Sequence, residues 1–210
     1  MTPAAPGALI LDWGGVLTTP MYDSFERWMD LEGIDRDSFR RHMRALHDAP
    51  GSALHLVECG RIPASQFEAE VATALRSATG EPIAHAGLLA RMMAHLEHNE
   101  PVRGIVRRAR AARWRTAVLS NSWCNEYDLR DLEDLVEVVL LSDRINERKP
   151  DPAAFLLAAR AVQTDPRHCV LVDDLRRNVA GAQAVGMHAV LYHPEAEGRL
   201  RTALGQEEDP

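Results

Sequence analysis

The chain has almost no lysine. Its 210 residues include 24 basic side chains, and Lys149 is the one lysine among 23 arginines. The acidic residues number 31, which gives a formal charge of −7, and the arginines are interleaved with acids instead of forming a basic stripe. Proteins that bind nucleic acid through its phosphates need such a stripe. We therefore expect no nucleic acid among the partners.

Cysteines and long apolar runs are also scarce. The three cysteines (Cys59, Cys124 and Cys169) are odd in number and lack C-x-x-C spacing, so neither a disulfide framework nor a structural zinc site is indicated. No apolar run approaches the roughly 18 residues that a membrane span needs. The N-terminal residues lack the basic region of a signal peptide. We expect a cytoplasmic protein without a membrane partner, either a monomer or a homodimer.

Five short apolar segments have the character of buried strands. They lie at residues 8–11, 116–119, 136–141, 169–172 and 189–192. Apolar residues follow one another in these segments without alternation, which indicates a sheet covered on both faces. Helical patterns at 102–113, 151–162 and 175–185 lie between the later strands. Strands that alternate with helices of this length predict an α/β fold with a doubly wound parallel sheet.

The region between the first and second strands has a different pattern. It shows helical stretches at 22–31, 36–47, 64–77 and 83–98, separated by glycine and proline, and no convincing strand. We therefore predict an all-helical domain at residues 20–98, inserted into a core domain made of residues 1–19 and 99–210.

Polar residues follow three of the predicted strands. These residues are Asp12, the Ser120-Asn121 pair and the Asp173-Asp174 pair. The carboxyl ends of parallel strands form one edge of a sheet, and ligands bind in the crevice above that edge. A single carboxylate in this place often only caps the next helix. Three polar clusters at one edge, with Lys149 in a loop between the second and third, favour a functional site instead.

Four motifs in order resemble those of the haloacid dehalogenase-like hydrolase superfamily. They are LILDWGGVL around Asp12, AVLSNS ending at Ser122, RKPDPAAF around Lys149, and LVDDLRRNVAGAQAVGM from Leu171. The resemblance implies a Rossmann-like core, with a helical cap between Asp12 and Ser120, which are 108 positions apart. Within the superfamily the chain looks most similar to phosphatases with a small helical cap, such as sugar-phosphate phosphatases and the N-terminal domain of epoxide hydrolases.

The resemblance also implies a reaction. Asp12 would be the nucleophile and would form an aspartyl-phosphate that water then hydrolyses. Mg²⁺ would be bound by the carboxylates of Asp12 and Asp174 and by the backbone carbonyl of Gly14. Asp173 would either bind the ion through a water molecule or support its ligands without binding it. The substrate would be a small phosphate ester.

The remaining candidate residues lie around the phosphate. Ser120 would donate a hydrogen bond to a phosphoryl oxygen, and Lys149 would place a compact positive charge between nucleophile and phosphoryl group. The residues assigned to substrate binding are Gly15, Asn121, Trp13 and Trp123. The two tryptophans are candidates for the walls of the substrate entrance, and packing against the cap is an equal alternative.

The main departure from the family pattern is Gly14. Phosphatases of this family usually carry a second aspartate there, which protonates the leaving oxygen. Some haloacid dehalogenases lack that aspartate too, but they generally do not keep an acidic pair such as Asp173-Asp174. The pair therefore favours a Mg²⁺-dependent phosphatase. Because the general acid is missing, we expect this phosphatase to prefer substrates with good leaving groups. The alternatives are a dehalogenase that uses Asp12 on carbon and a non-catalytic regulatory protein that binds phosphate esters.

The cap contains possible replacements for the missing acid. His42, His47 and His55 have the right chemistry for proton donation, although histidines on exposed helix faces are the simpler interpretation.

Overall fold

Five parallel strands form one sheet in the computed structural model, which describes residues 7–124, 127 and 129–205. The strands are β1 Ala8–Leu11, β2 Arg115–Ser120, β3 Val138–Leu141, β4 Cys169–Asp173 and β5 His188–Leu191. Their order across the sheet is β3-β2-β1-β4-β5, and all four neighbouring pairs are parallel. The predicted α/β fold with a doubly wound parallel sheet is confirmed.

Five helices lie within residues 20–98, the predicted insertion between β1 and β2. They are α1 Met21–Glu32, α2 Arg36–Asp48, α3 Ala53–Glu58, α4 Ala64–Ala74 and α5 Leu88–Met93. The predicted helix at 83–98 is wrong in length, because Gly87 has a left-handed φ of 65° directly before α5 and interrupts the helical backbone. The short helix α3 was not predicted from the sequence.

The remaining helices cover the two faces of the sheet. They are α6 Glu100–Ala111, α7 Leu129–Leu135, α8 Ser142–Ile145, α9 Pro152–Ala161, α10 Arg176–Ala184 and α11 Glu197–Ala203. Strand β1 shows why its sequence is apolar throughout: Leu9 and Leu11 pack into one hydrophobic cluster, and Ala8 and Ile10 pack into another on the opposite face. Among the described residues, no helix has both the length and the apolar character needed to cross a membrane.

Helices α1 to α5 enclose a further hydrophobic cluster, which includes Trp28, Leu54 and Phe67 and which Trp123 joins from outside the helical segment. The two chain segments that join these helices to the sheet run side by side. The backbone N–H of Thr19 donates to the carbonyl of Glu97 at 2.8 Å. The helical segment therefore leaves the sheet and returns to it at the same place, beside the end of β1.

Candidate active site

The sheet brings three aspartates together at one edge. In the register between β1 and β4, Leu11 pairs with Val172, which places Asp12 beside Asp173. Strands β1 and β4 are the neighbours at which the strand order reverses direction, and this is the ligand-binding crevice of a doubly wound sheet. Carboxylate oxygens of Asp12, Asp173 and Asp174 all lie within 4.8 Å of one another.

Lys149 lies between two of these carboxylates. Its Nζ is 2.9 Å from Oδ1 of Asp12 and 2.6 Å from Oδ2 of Asp173, and its side chain is only 1% exposed. Burial acts to lower the pKa of Lys149, but the charges and hydrogen bonds of Asp12 and Asp173 outweigh it and raise the pKa above its usual value. The lysine is therefore a fixed positive charge at neutral pH.

The side chain of Asn121 holds the backbone of that lysine. Its Oδ1 accepts from the Lys149 N–H at 2.9 Å, and its Nδ2 donates to the Lys149 carbonyl at 2.9 Å. Asn121 also lines the cavity above Asp12, where we predicted a substrate contact. In this structure its amide fixes the loop that carries Lys149.

Both oxygens of Asp173 have hydrogen-bond donors. Oδ1 accepts from the Leu175 N–H and from Asn178 Nδ2, each at 2.9 Å, and Oδ2 accepts from Lys149 and from Asn178 Nδ2 at 3.1 Å. Because both oxygens already accept hydrogen bonds, Asp173 is better suited to position Lys149 than to bind a metal ion directly. The first turn of α10 therefore contributes Asn178 as a support for the site.

The charges around Asp12 fit a divalent cation. Burial raises the pKa of Asp12 to about 8, with Asp173 and Asp174 adding to the effect and Lys149 opposing it. Burial and the charge of Asp173 likewise raise the pKa of Asp174 to about 6. Three neighbouring carboxylates repel one another, and one ammonium does not balance them. A hard cation that binds oxygen ligands would reduce this repulsion. Because the oxygens of Asp173 are occupied, Asp12 and Asp174 are the carboxylates suited to hold it.

A tight turn at Trp13–Leu17 joins Asp12 to the helical segment. Gly15 adopts a φ of 74° in this turn, and a Cβ at its position would overlap the carboxylate of Asp174. Its N–H donates to the Thr18 hydroxyl at 3.2 Å. The absence of a side chain at Gly15, which we assigned to substrate binding, thus gives Asp174 room beside Asp12.

Gly14 contacts the helical segment directly. A Cβ at Gly14 would lie 2.8 Å from both Cγ and Sδ of Met21, the first residue of α1. Met21 therefore occupies the space that a side chain at position 14 would need.

A cavity of about 540 Å³ lies above Asp12, between the sheet edge and helices α1 and α2. Its apolar walls are Trp13, Met21, Phe25, Phe39, Met43, Met93, Trp123 and Tyr127. Ser120 also lines it, and the Ser120 hydroxyl is 3.2 Å from the Tyr127 hydroxyl. Both tryptophans line this cavity. Trp123 also packs against the helical segment, on Phe25 at 5.9 Å, whereas Trp13 packs on Tyr127 of the sheet domain at 4.7 Å.

Of the three histidines considered as proton donors, His47 lines the cavity. Its Nδ1 is 3.2 Å from Nη2 of Arg177. Burial first, and then the charges of Arg177 and Arg148, lower the pKa of His47 to about 4. The imidazole is therefore neutral at neutral pH and is a poor source of a proton.

Glu58 is a site residue that the sequence analysis missed. Its carboxylate, at the end of α3, is 3% exposed and accepts hydrogen bonds from Arg148 Nε and, at 3.2 Å, from Trp123 Nε1. Arg148 directly precedes Lys149 in the chain, so this buried ion pair joins the helical segment to the loop of the lysine. A lone glutamate in a short helix gives no local signal, and only the folded chain shows its partner.

Comparisons with known proteins show what the chain is similar to. A family model described as haloacid dehalogenase-like hydrolase matches residues 7–186. Phosphatase MT3486 of Mycobacterium tuberculosis is 40% identical over 68 residues, a match that covers 32% of this chain and only 31% of that protein. Protein CbbY of Rhodobacter capsulatus is 25% identical over 204 residues, covering 90% of this chain and 86% of that protein.

The fold also matches a solved structure. A HAD family enzyme from Bacteroides thetaiotaomicron, crystallised in complex with magnesium and inorganic phosphate, superimposes with a TM-score of 0.64 at 19% identity. The match covers 89% of this chain and 93% of that one, and at this identity it shows the fold alone. With the family model covering most of the chain, the conclusion is that this protein belongs to the haloacid dehalogenase-like hydrolase family.

Proposed function

We propose that this protein is a cytoplasmic Mg²⁺-dependent phosphatase that hydrolyses a small phosphate ester through an aspartyl-phosphate on Asp12. The observation that carries the proposal is the position of Lys149 Nζ, which lies 2.9 Å from Asp12 and 2.6 Å from Asp173, with Asp174 alongside. Relatives such as Phosphatase MT3486 carry names that support it. Residues 20–98 would serve as the cap that selects the substrate.

Each residue of the site has a separate role in the proposed reaction. Oδ1 of Asp12 accepts from Lys149 and, at 2.7 Å, from the Trp13 N–H, so we assign Oδ2 as the attacking oxygen. Oδ2 forms a bond to phosphorus while the ester P–O bond breaks and the alkoxide leaves; water then hydrolyses the acyl phosphate and restores Asp12. Ser120 donates to a phosphoryl oxygen, and Lys149 stabilises the charge that accumulates there. Magnesium, held by Asp12, Asp174 and the Gly14 carbonyl, would supply further charge neutralisation between carboxylate and phosphate.

Chelation separates this function from carbon–halogen cleavage. With 4-nitrophenyl phosphate and Mg²⁺ we expect phosphate release that EDTA abolishes and that added Mg²⁺ restores. With 2-chloropropionate we expect no chloride release. Release of halide that EDTA does not affect would contradict the proposal and would favour the dehalogenase function.

The rate should depend strongly on the leaving group, because Gly14 supplies no proton and His47 is neutral. General acid catalysis contributes about 10²–10⁴-fold, so alkyl phosphates are expected to react more slowly than aryl phosphates by about this factor. A Brønsted plot of kcat/KM against leaving-group pKa measures the dependence. A slope near zero would mean that another residue protonates the leaving oxygen.

The contact between Gly14 and Met21 predicts that the missing acid cannot be restored alone. Gly14→Asp is expected to lower the free energy of unfolding by about 1–3 kcal/mol through overpacking against Met21, without a gain in rate. In a Met21→Ala background the same change should cost less stability and should raise kcat for alkyl phosphates. A double-mutant cycle by urea denaturation, with kcat measured for each variant, tests this coupling. Strictly additive effects would show that Met21 does not restrict position 14.

A further inference from the structure

We infer that the alcohol part of the substrate is a hydrocarbon or aromatic group and not a sugar. This inference rests on the proposed function and deepens it. The cavity above Asp12 has about 540 Å³, within the range of small-molecule sites, and is continuous with the nucleophile. A phosphate placed between Asp12 and Ser120 would therefore direct its ester group toward helices α1 and α2.

The walls that receive this group are apolar on both sides. From the helical segment come Phe25, Met43 and Met93, and from the sheet side come Trp13 and Tyr127. Thioether and aromatic side chains adapt to hydrocarbon and aromatic ligands and offer little to hydroxyl groups.

The polar side chains that the helical segment contributes to the cavity are largely committed to protein partners. Glu58 accepts from Arg148 and Trp123, and it lies deep in the protein. Recognition of a sugar requires buried donors and acceptors aimed at its hydroxyls, and the Glu58 carboxylate is already used.

Two further polar groups of the wall are also engaged. Arg40 Nε donates to the Tyr22 hydroxyl at 2.5 Å, and the Arg40 guanidinium pairs with Glu26 at 3.4 Å. The His47 ring contacts Arg177. Arg44 lines the cavity as well, so a sugar bound here could pair with it but would have to break the other contacts to satisfy its remaining hydroxyls, whereas a hydrocarbon group would not.

The test uses esters with the same kind of leaving group, so that proton supply does not decide the result. Hexyl phosphate and benzyl phosphate are compared with glycerol 3-phosphate and glucose 6-phosphate, all monoesters of primary alcohols, and 4-nitrophenyl phosphate is the positive control. We expect kcat/KM to be about ten-fold or more higher for the two apolar esters.

A variant in the wall links the preference to the cavity. Met93 is half-buried and lines the cavity, and glutamine has a similar length. Met93→Gln is therefore expected to lower the ratio of kcat/KM for hexyl phosphate to kcat/KM for glycerol 3-phosphate by about three-fold or more. The matched control is Leu31→Gln on α1, where Leu31 is 69% exposed and outside the cavity wall; it should leave the ratio unchanged. Melting temperatures confirm that both variants are folded.

The outcomes separate the two proposals. If the sugar and glycerol esters react as fast as the apolar esters or faster, the inference about the alcohol is overturned while the phosphatase function stands. If no ester, including 4-nitrophenyl phosphate, releases phosphate in the presence of Mg²⁺, both are overturned. A ratio that Met93→Gln and Leu31→Gln change equally would also overturn the inference, because the preference would not come from this cavity.

Discussion

A Lys149→Arg variant is expected to lose about 10²–10³-fold in kcat, the loss typical when one electrostatic contact to the transition state is removed, although the exchange keeps the positive charge. The Nζ of Lys149 fits between Asp12 and Asp173 at 2.9 and 2.6 Å, with the side chain 1% exposed. A guanidinium is a larger planar group that cannot occupy the same point between two carboxylates. Arginine would push Asp12 away from the phosphoryl group or would itself turn away from it.

The measurement is kcat for 4-nitrophenyl phosphate, together with thermal unfolding. Overpacking of a buried site costs about 1–3 kcal/mol, so a moderate fall in melting temperature is expected while the variant remains folded. Arg167→Lys is the matched control, because Arg167 is on the surface with its side chain 78% exposed and should tolerate the exchange. Folded Lys149→Arg protein with kcat within a few-fold of the wild type would show that the assigned role of the lysine is wrong.

This prediction gives the unusual composition a physical meaning. The chain uses arginine at every basic position except one, and that exception is the residue whose ammonium lies in the carboxylate cluster. Elsewhere the basic groups lie mostly at the surface, where a planar guanidinium and a compact ammonium both fit.

The strands of the sheet were predictable from local sequence for a clear reason. Strands β1, β2 and β4 are buried on both faces, so each of them appears in the sequence as an apolar run. The parallel register then brings together the residues that follow Leu11 and Val172. The positions of Asp12, Asp173 and Asp174 at one edge follow from the order of the elements. The proximity of Lys149 to this edge was implied by the family motif and depends on the loop that Asn121 holds.

The contacts between the helical segment and the sheet were not predictable. Glu58 and Arg148 are far apart in the chain, and no periodicity marks either residue as a member of a pair. The sequence shows that Gly14 lacks the usual carboxylate, but only the structure shows Met21 in the vacated space. Local patterns encode which face of an element is buried, whereas its partners depend on the whole fold.

An Asp12→Asn variant is expected to lose activity on the order of 10⁴-fold or more, as enzymes do when a covalent nucleophile is removed. Asparagine keeps the shape of the side chain, and its oxygen can still accept from Lys149 and from the Trp13 N–H. It cannot form an acyl phosphate that water hydrolyses.

The same substitution has a second consequence that distinguishes lost chemistry from lost folding. It removes one of three crowded carboxylates that face a single ammonium, and burial already raises the pKa of Asp12 to about 8, so the melting temperature in metal-free buffer should not fall. After reaction with a phosphate ester that carries a radiolabelled phosphoryl group, the label should remain on acid-quenched wild-type protein and be absent from Asp12→Asn. The control is Asp30→Asn, at an exposed position on α1, which should retain the label as the wild type does. A stable, folded Asp12→Asn protein with near-normal turnover would exclude Asp12 as the nucleophile, because asparagine cannot form the acyl phosphate.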